Sequence, residues 1–332
     1  MNGASMSTSV KQTDGDYARG HEIFQSFVRG DAEAGLMSDV FASEKEMMDA
    51  LWTSAARNHA PAWTLIADAH VARVQPVGAF YGVDADPSRA WPEAVRHVVD
   101  ADNPDLECAL RAWYQASLLG DREATMHFAK ISRHSSVENQ RIAKSALESL
   151  TDPTPAELYR LGLVHNWLGD MEASAKVHIA AAERGDADAQ FELYIYFLQG
   201  VGVEADAVKA KVWLERAAAA NHPRALFNMG ARYASGEEGE PDKQKAAEWY
   251  ERAAKHGSAR AAATLGVMIL TREIDGTREQ CIAWLDQADE GGYASWQALD
   301  YAGVDDPREE NRGEEEEDAE SEDEEEEGDA ES

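Results

Sequence analysis

The sequence predicts an all-α protein, a solenoid of stacked helical hairpins, on three observations. Ala189, Ala225 and Ala261 stand 36 residues apart, and Leu193, Met229 and Leu265 keep the same step. Trp213 and Trp249 repeat it too, with Trp284 one residue early. A fixed period in this range marks a stacked-repeat architecture, because each supersecondary unit buries its apolar face only against its neighbours. Within a copy, Ala225, Met229 and Tyr233 lie at i, i+4 and i+8, one face of a helix. Turn residues, Gly236 to Pro241, then separate this helix from a second one.

The second helix, Lys245 to Ala254, carries Ala246, Ala253 and Ala254, small residues that admit a neighbouring helix closely. His256-Gly257 closes it, with Gly free to take positive φ. Gly230 and Gly266 sit inside predicted first helices, where Gly costs about 1 kcal/mol relative to Ala. The cost recurs at one repeat position, so a packing reason is expected: a Cβ there would strike the adjacent helix. Tyr194 occupies this position in the preceding copy, which predicts a splayed hairpin there.

The string A-x-x-x-L-G-x-x-Y-x-x-G, followed by G-V-x-x-D-x-x-K-A-x-x-W-x-x-x-A-A and a closing N or G and A, resembles the Sel1-like repeat, a relative of the tetratricopeptide repeats. The clearest copy carries it on Ala189, Leu193, Gly200, Gly202, Val203, Asp206, Lys209, Ala210, Trp213, Ala217, Ala218, Asn221 and Ala225. The resemblance implies a right-handed α/α superhelix that serves as a protein-binding scaffold without catalytic residues of its own.

Composition narrows the partners. The formal charge is −32 over 332 residues. Residues 305–332 hold 18 acidic residues and two Arg, so the rest of the chain is acidic as well. Both parts repel nucleic acid and anionic membranes, whose binding proteins carry basic patches. Cys108 and Cys281 lie in helical, apolar surroundings and read as buried small hydrophobes. The polar start, Met1 to Asp16, has no apolar core of a secretory signal. The longest charge-free apolar run, Ala261 to Leu270, is too short to span a bilayer. The default location is the cytoplasm.

In chain order, residues 1–16 read as disordered and 17–150 as degenerate helical repeats. Tyr17 to Val28 forms a first helix, with Ile23, Phe24 and Phe27 inward. Ser43 to Arg57 forms a second, with Ser43 and Glu46 in a capping-box arrangement. Asn58-His59-Ala60-Pro61-Ala62 copies Asn221-His222-Pro223-Arg224-Ala225, so the repeat begins here. Gly82 to Ala90 matches Gly202 to Ala210, and Gln75 to Tyr81 is a candidate insertion. Leu119-Gly120-Asp121 and Leu168-Gly169-Asp170 are short turns of the tetratricopeptide kind. Val137 to Leu150 adds a helix. Thr151-Asp152-Pro153-Thr154-Pro155 marks a soft boundary without a free hinge. Residues 151–304 hold the regular Sel1-like repeats and a short cap, Ala294 to Tyr301, with Trp296 and Leu299 inward. Residues 305–332 read as a disordered acidic tail.

No motif carries catalysis, a metal or a cofactor. There is no H-E-x-x-H and no Cys/His cluster. His59, His222 and His256 read as capping residues at a shared repeat position. Asp84, Asp86 and Ser88 open like a calcium loop, but Arg89 stands where that loop needs Gly and Val95 where it needs Glu. Gly200 and Gly202 follow no strand and precede no Lys-Ser/Thr, which excludes a phosphate loop. Trp213, Trp249 and Trp284 read as core.

The functional expectation therefore rests on the first-helix faces. Glu192 with Tyr196, Asn228 with Arg232 and Thr264 with Met268 differ between copies and are expected to line a concave, protein-binding side. Tyr, Arg and Met are types that carry interface energy. The expected function is a non-enzymatic adaptor that holds a peptide or domain. The alternative is an inhibitor, immunity-type protein or chaperone that sequesters a basic protein through its acidic surface and tail. The oligomeric state is open.

Overall fold

The computed structural model describes residues 14–29, 37–74, 92–95, 98, 104–237 and 239–308. Among them every regular element is helical. The first half contains α1 (Gly15–Arg29), α2 (Met37–Ala55), α3 (Ala60–Val74), a 3₁₀ turn (Glu93–Val95), α4 (Pro104–Leu118), α5 (Arg122–Ser132), α6 (Val137–Glu148), α7 (Pro155–Trp167) and α8 (Met171–Glu183). The second contains α9 (Ala187–Gln199), α10 (Ala207–Ala219), α11 (Pro223–Ser235), α12 (Lys243–Lys255), α13 (Ala259–Leu270), α14 (Arg278–Glu290) and α15 (Ser295–Ala302). Two compact units divide the chain, residues 1–177 and 178–332. No helix among the described residues is long and apolar enough to cross a membrane.

In the first unit, consecutive helices from α1 to α7 pack pairwise. Leu51, Ile66, Trp113 and Phe128 are fully enclosed in one core. A Cβ on Gly20 would lie 2.7 Å from Leu51, so α1 and α2 meet through a glycine, as the later hairpins do. Gly162 of α7 accepts a 2.7 Å hydrogen bond from the Ser174 hydroxyl of α8. The proline-rich break before α7 is tied down. Thr154 and Glu157 form a reciprocal capping box. Arg122 binds the Glu157 carboxylate and donates to the carbonyls of Thr151 (3.2 Å) and Asp152 (3.3 Å).

Two expectations shift here. The first helix starts at Gly15, where Asp14 accepts N–H groups from Asp16 and Tyr17, so residues 14–16 are ordered. The second starts at Met37, which puts Ser43 inside the helix and not at a cap; Glu46 pairs with Arg19 instead. The candidate insertion 75–81 and the turn 82–90 lie outside the described residues, as do 1–13.

The second unit repeats one hairpin three times: α9/α10, α11/α12 and α13/α14. Gly185, Asn221 and Gly257 keep the 36-residue step and all have positive φ, at 94°, 59° and 92°. The next residue of each, Asp186, His222 and Ser258, accepts a backbone N–H at the N-terminus of the following helix. A second series, Gly200, Gly236 and Arg272, turns left-handed after each first helix, at 73°, 83° and 58°. His256 is therefore not the counterpart of His222; Ser258 is, and His256 instead ends α12.

Glycine spacing fixes the hairpins. A Cβ on Gly230 would lie 2.6 Å from Tyr250, and one on Gly266 would lie 2.8 Å from Leu285. In the first copy Leu214 stands where Tyr250 stands later, and α9 and α10 still pack along their length beside Tyr194. The tryptophans Trp213, Trp249 and Trp284 are only half-buried, and their successors Leu214, Tyr250 and Leu285 are the enclosed residues. Arg216 and Arg252 cover the Trp213 and Trp249 rings at 4.7 Å. In the cap, Leu299 is buried as expected, but Trp296 is 61% exposed. The ordered chain continues past 305: Arg308 reaches Asp286 (3.0 Å) and Asp289 (2.8 Å) and pairs with Asp306.

Candidate partner-binding groove

Helices α11, α12, α13 and α15 enclose a groove of about 500 Å³ within the second unit. Its floor is aromatic. The Phe227 and Tyr250 rings lie 5.2 Å apart, and the Arg260 guanidinium covers Phe227 at 4.7 Å. The same arrangement occurs one repeat earlier, where Arg224 lies 4.5 Å over Phe191. At the rim Lys243 pairs with Glu273 at 2.9 Å. Tyr301 of the cap helix, 95% exposed, forms the outer wall.

The electrostatics follow from burial beside cations. Desolvation pushes the Tyr250 phenol above its ordinary pKa, and Arg260 works against it. Glu192 is raised by the same cause, opposed by Arg224. Neither Arg224 nor Arg260 lies within ion-pair distance of a carboxylate among the described residues. The groove thus offers a stacked guanidinium, aromatic faces and hydroxyl groups. Among the described residues no group of three His, Cys, Asp or Glu side chains is placed to hold a metal ion. Cys108 and Cys281 are buried and unbridged, and Cys281 donates its thiol proton to the Gly266 carbonyl at 3.3 Å.

The six residues expected to line the partner face divide. Thr264 and Met268 border the groove, while Glu192, Asn228 and Arg232 are half-buried on their own repeats, Arg232 paired with Glu237. Tyr196 and Met268 are only 3% and 4% exposed, so packing does demand them. The reason is angular. Three residues advance a helix by about 300°, which returns Tyr196 and Met268 to within about 60° of Leu193 and Leu265, inside the buried stripe. Tyr196 meets His178 edge-on at 5.5 Å. Sequence reasoning missed Phe227, Arg260, Lys243 and Tyr301. The signal available was the 36-residue pairing of Phe191 and Arg224 with Phe227 and Arg260.

What the fold defines is a helical-hairpin repeat protein. Two of its hairpins match the Sel1 repeat: that family pattern covers residues 187–222 and 223–258, which are α9/α10 and α11/α12. No curated protein matches the sequence. A Sel1 repeat protein from Oxalobacter formigenes is similar at 25% identity and a TM-score of 0.45, over 54% of this chain and 80% of the other. A protective antigen of uropathogenic Escherichia coli strains that displays an SLR fold is similar at 20% identity and a TM-score of 0.40. That match covers 87% of this chain and 63% of the antigen's length.

Proposed function

We propose that this protein is a non-catalytic scaffold that docks a segment of a partner protein in the groove formed by α11, α12, α13 and α15. The observation that carries the reading is the stacked, uncompensated Arg260 over Phe227, beside the aromatic face of Tyr250 and the exposed Tyr301. Stacked Arg and Tyr are side chains through which a small patch contributes most of a binding energy. The Sel1 repeats support the same reading, since repeats of this kind are associated with protein binding. The partner segment is expected to bring one apolar anchor for the aromatic floor and a carboxylate for Arg260.

A displayed peptide library tests this. Selection on the wild-type protein is expected to converge on acidic-plus-apolar sequences. Synthetic versions should bind at least about tenfold more weakly to Arg260→Ala/Tyr301→Ala, a loss of about 1.4 kcal/mol. Selected peptides that bind both proteins equally would remove the groove from the account.

A further inference from the structure

We infer that the acidic segment beyond Arg308 occupies the cationic side of this groove in the free protein and competes with the partner; the inference rests on the groove reading above. Three observations carry it. The first is the exit point. Arg308, the last described residue, is tied to Asp286, Asp289 and the Ser295 hydroxyl (2.8 Å), which places it beside the first turn of α15. Gln297, Ala298 and Tyr301 of that same helix line the groove. The second is reach. The segment is 24 residues long, up to about 80 Å when extended, whereas the eight-residue α15 measures about 12 Å. The third is charge. Sixteen of those residues are Asp or Glu and one is Arg. Within the groove Arg260 stacks on Phe227 with no ion-pair partner among the described residues, and Lys243 stands at the rim.

A carboxylate on Arg260 makes a charge-assisted, two-point hydrogen bond. One such contact in water is weak, but tethering sets a local concentration in the millimolar range, and sixteen carboxylates exchange at the site instead of one, so the tail's occupancy is partial and readily displaced. The segment contains no aromatic or large aliphatic residue. It satisfies Arg260 and leaves the Phe227–Tyr250 floor uncovered. A partner with both a carboxylate and an apolar anchor therefore displaces it, and a purely apolar or purely basic one does not.

Zero-length carbodiimide cross-linking of the full-length protein, read by mass spectrometry, tests the inference. The Lys243–Glu273 pair, at 2.9 Å, supplies an internal positive control. Cross-links from Lys243 to carboxylates of residues 314–327 are expected to exceed those from Lys255 severalfold. They should collapse in Arg260→Glu and in about 0.5 M salt, where screening is within a few ångströms. The Lys243–Glu273 cross-link should persist in Arg260→Glu, which shows that the variant is folded. Tail cross-links spread evenly over Lys243, Lys211 and Lys255, or unchanged in Arg260→Glu, would overturn the inference. If the tail fails this test while library-selected peptides still bind, only the tail assignment falls. If neither engages Arg260, the groove reading falls with it.

Discussion

Tyr250 of α12 lies against α11 so closely that a Cβ on Gly230 would stand 2.6 Å from its ring, with the Ala246 carbonyl a further 3.1 Å contact. The ring is buried and packs on Phe227 at 5.2 Å, so making room for the Cβ would disturb that contact as well as the helix spacing. Gly230→Ala is therefore expected to lower stability by about 1–2 kcal/mol, since overpacking outweighs the gain in helix propensity. Urea denaturation measures it. A variant as stable as the parent, or more so, would show that the helices separate at little cost.

Arg272 takes φ 58° at the position where the two preceding repeats place Gly200 and Gly236. A left-handed L-residue costs roughly 1–2 kcal/mol, and glycine gives back about half of that in unfolded-chain entropy. Arg272→Gly should therefore stabilise the unit by up to about 1 kcal/mol, seen as a raised Tm.

The Arg122 guanidinium and the Thr154 cap together hold Glu157 down to about 2 from an ordinary 4.5. A carboxyl lowered in the folded state contributes its full stability above pH 4.5 and loses it as pH falls from there to about 2. Arg122 is partly exposed, so after solvent screening the contribution is about 1–2 kcal/mol. Glu157→Gln is expected to lose that amount at pH 7 and to flatten the acid limb of the stability curve. Parallel pH profiles for the two proteins would refute the assignment.

The cap helix separates two residues that hydrophobicity alone treats alike. Leu299→Ala should cost about 2 kcal/mol or more as a cavity against Cys281 and Leu285. Trp296→Ala should stay within about 0.5 kcal/mol, because its ring stands largely in solvent. Chemical denaturation of the two variants makes the comparison.

Period and helix type were legible because they rest on backbone requirements. Positive φ at Gly185, Asn221 and Gly257 favours Gly or Asn, and the caps at Asp186, His222 and Ser258 require a side chain that brings an acceptor oxygen or nitrogen back to the backbone. Side-chain direction was less legible. Tyr196 and Met268 fall near the edge of the buried stripe, where a shift of tens of degrees decides between core and surface. The tryptophans misled for a related reason: Trp213 and Trp249 are each half-covered by an arginine three residues on, which satisfies them without full burial. The groove itself is assembled from four helices. Of its residues only Phe227 and Arg260 had a sequence signal, the recurrence of Phe191 and Arg224 36 residues on; Lys243 and Tyr301 share no spacing with them.

The left-handed residue and the cap that follows it have a consequence for how such a chain changes length. Removing residues 223–258 as a block brings Asn221-His222 directly before Ala259, where Gly257-Ser258 had stood, and the new junction meets the same backbone demands as the old one. Duplicating the block does likewise. Unequal crossing-over at this register therefore yields chains whose seams are already formed, so such genes can gain or lose whole hairpins without first passing through a broken intermediate.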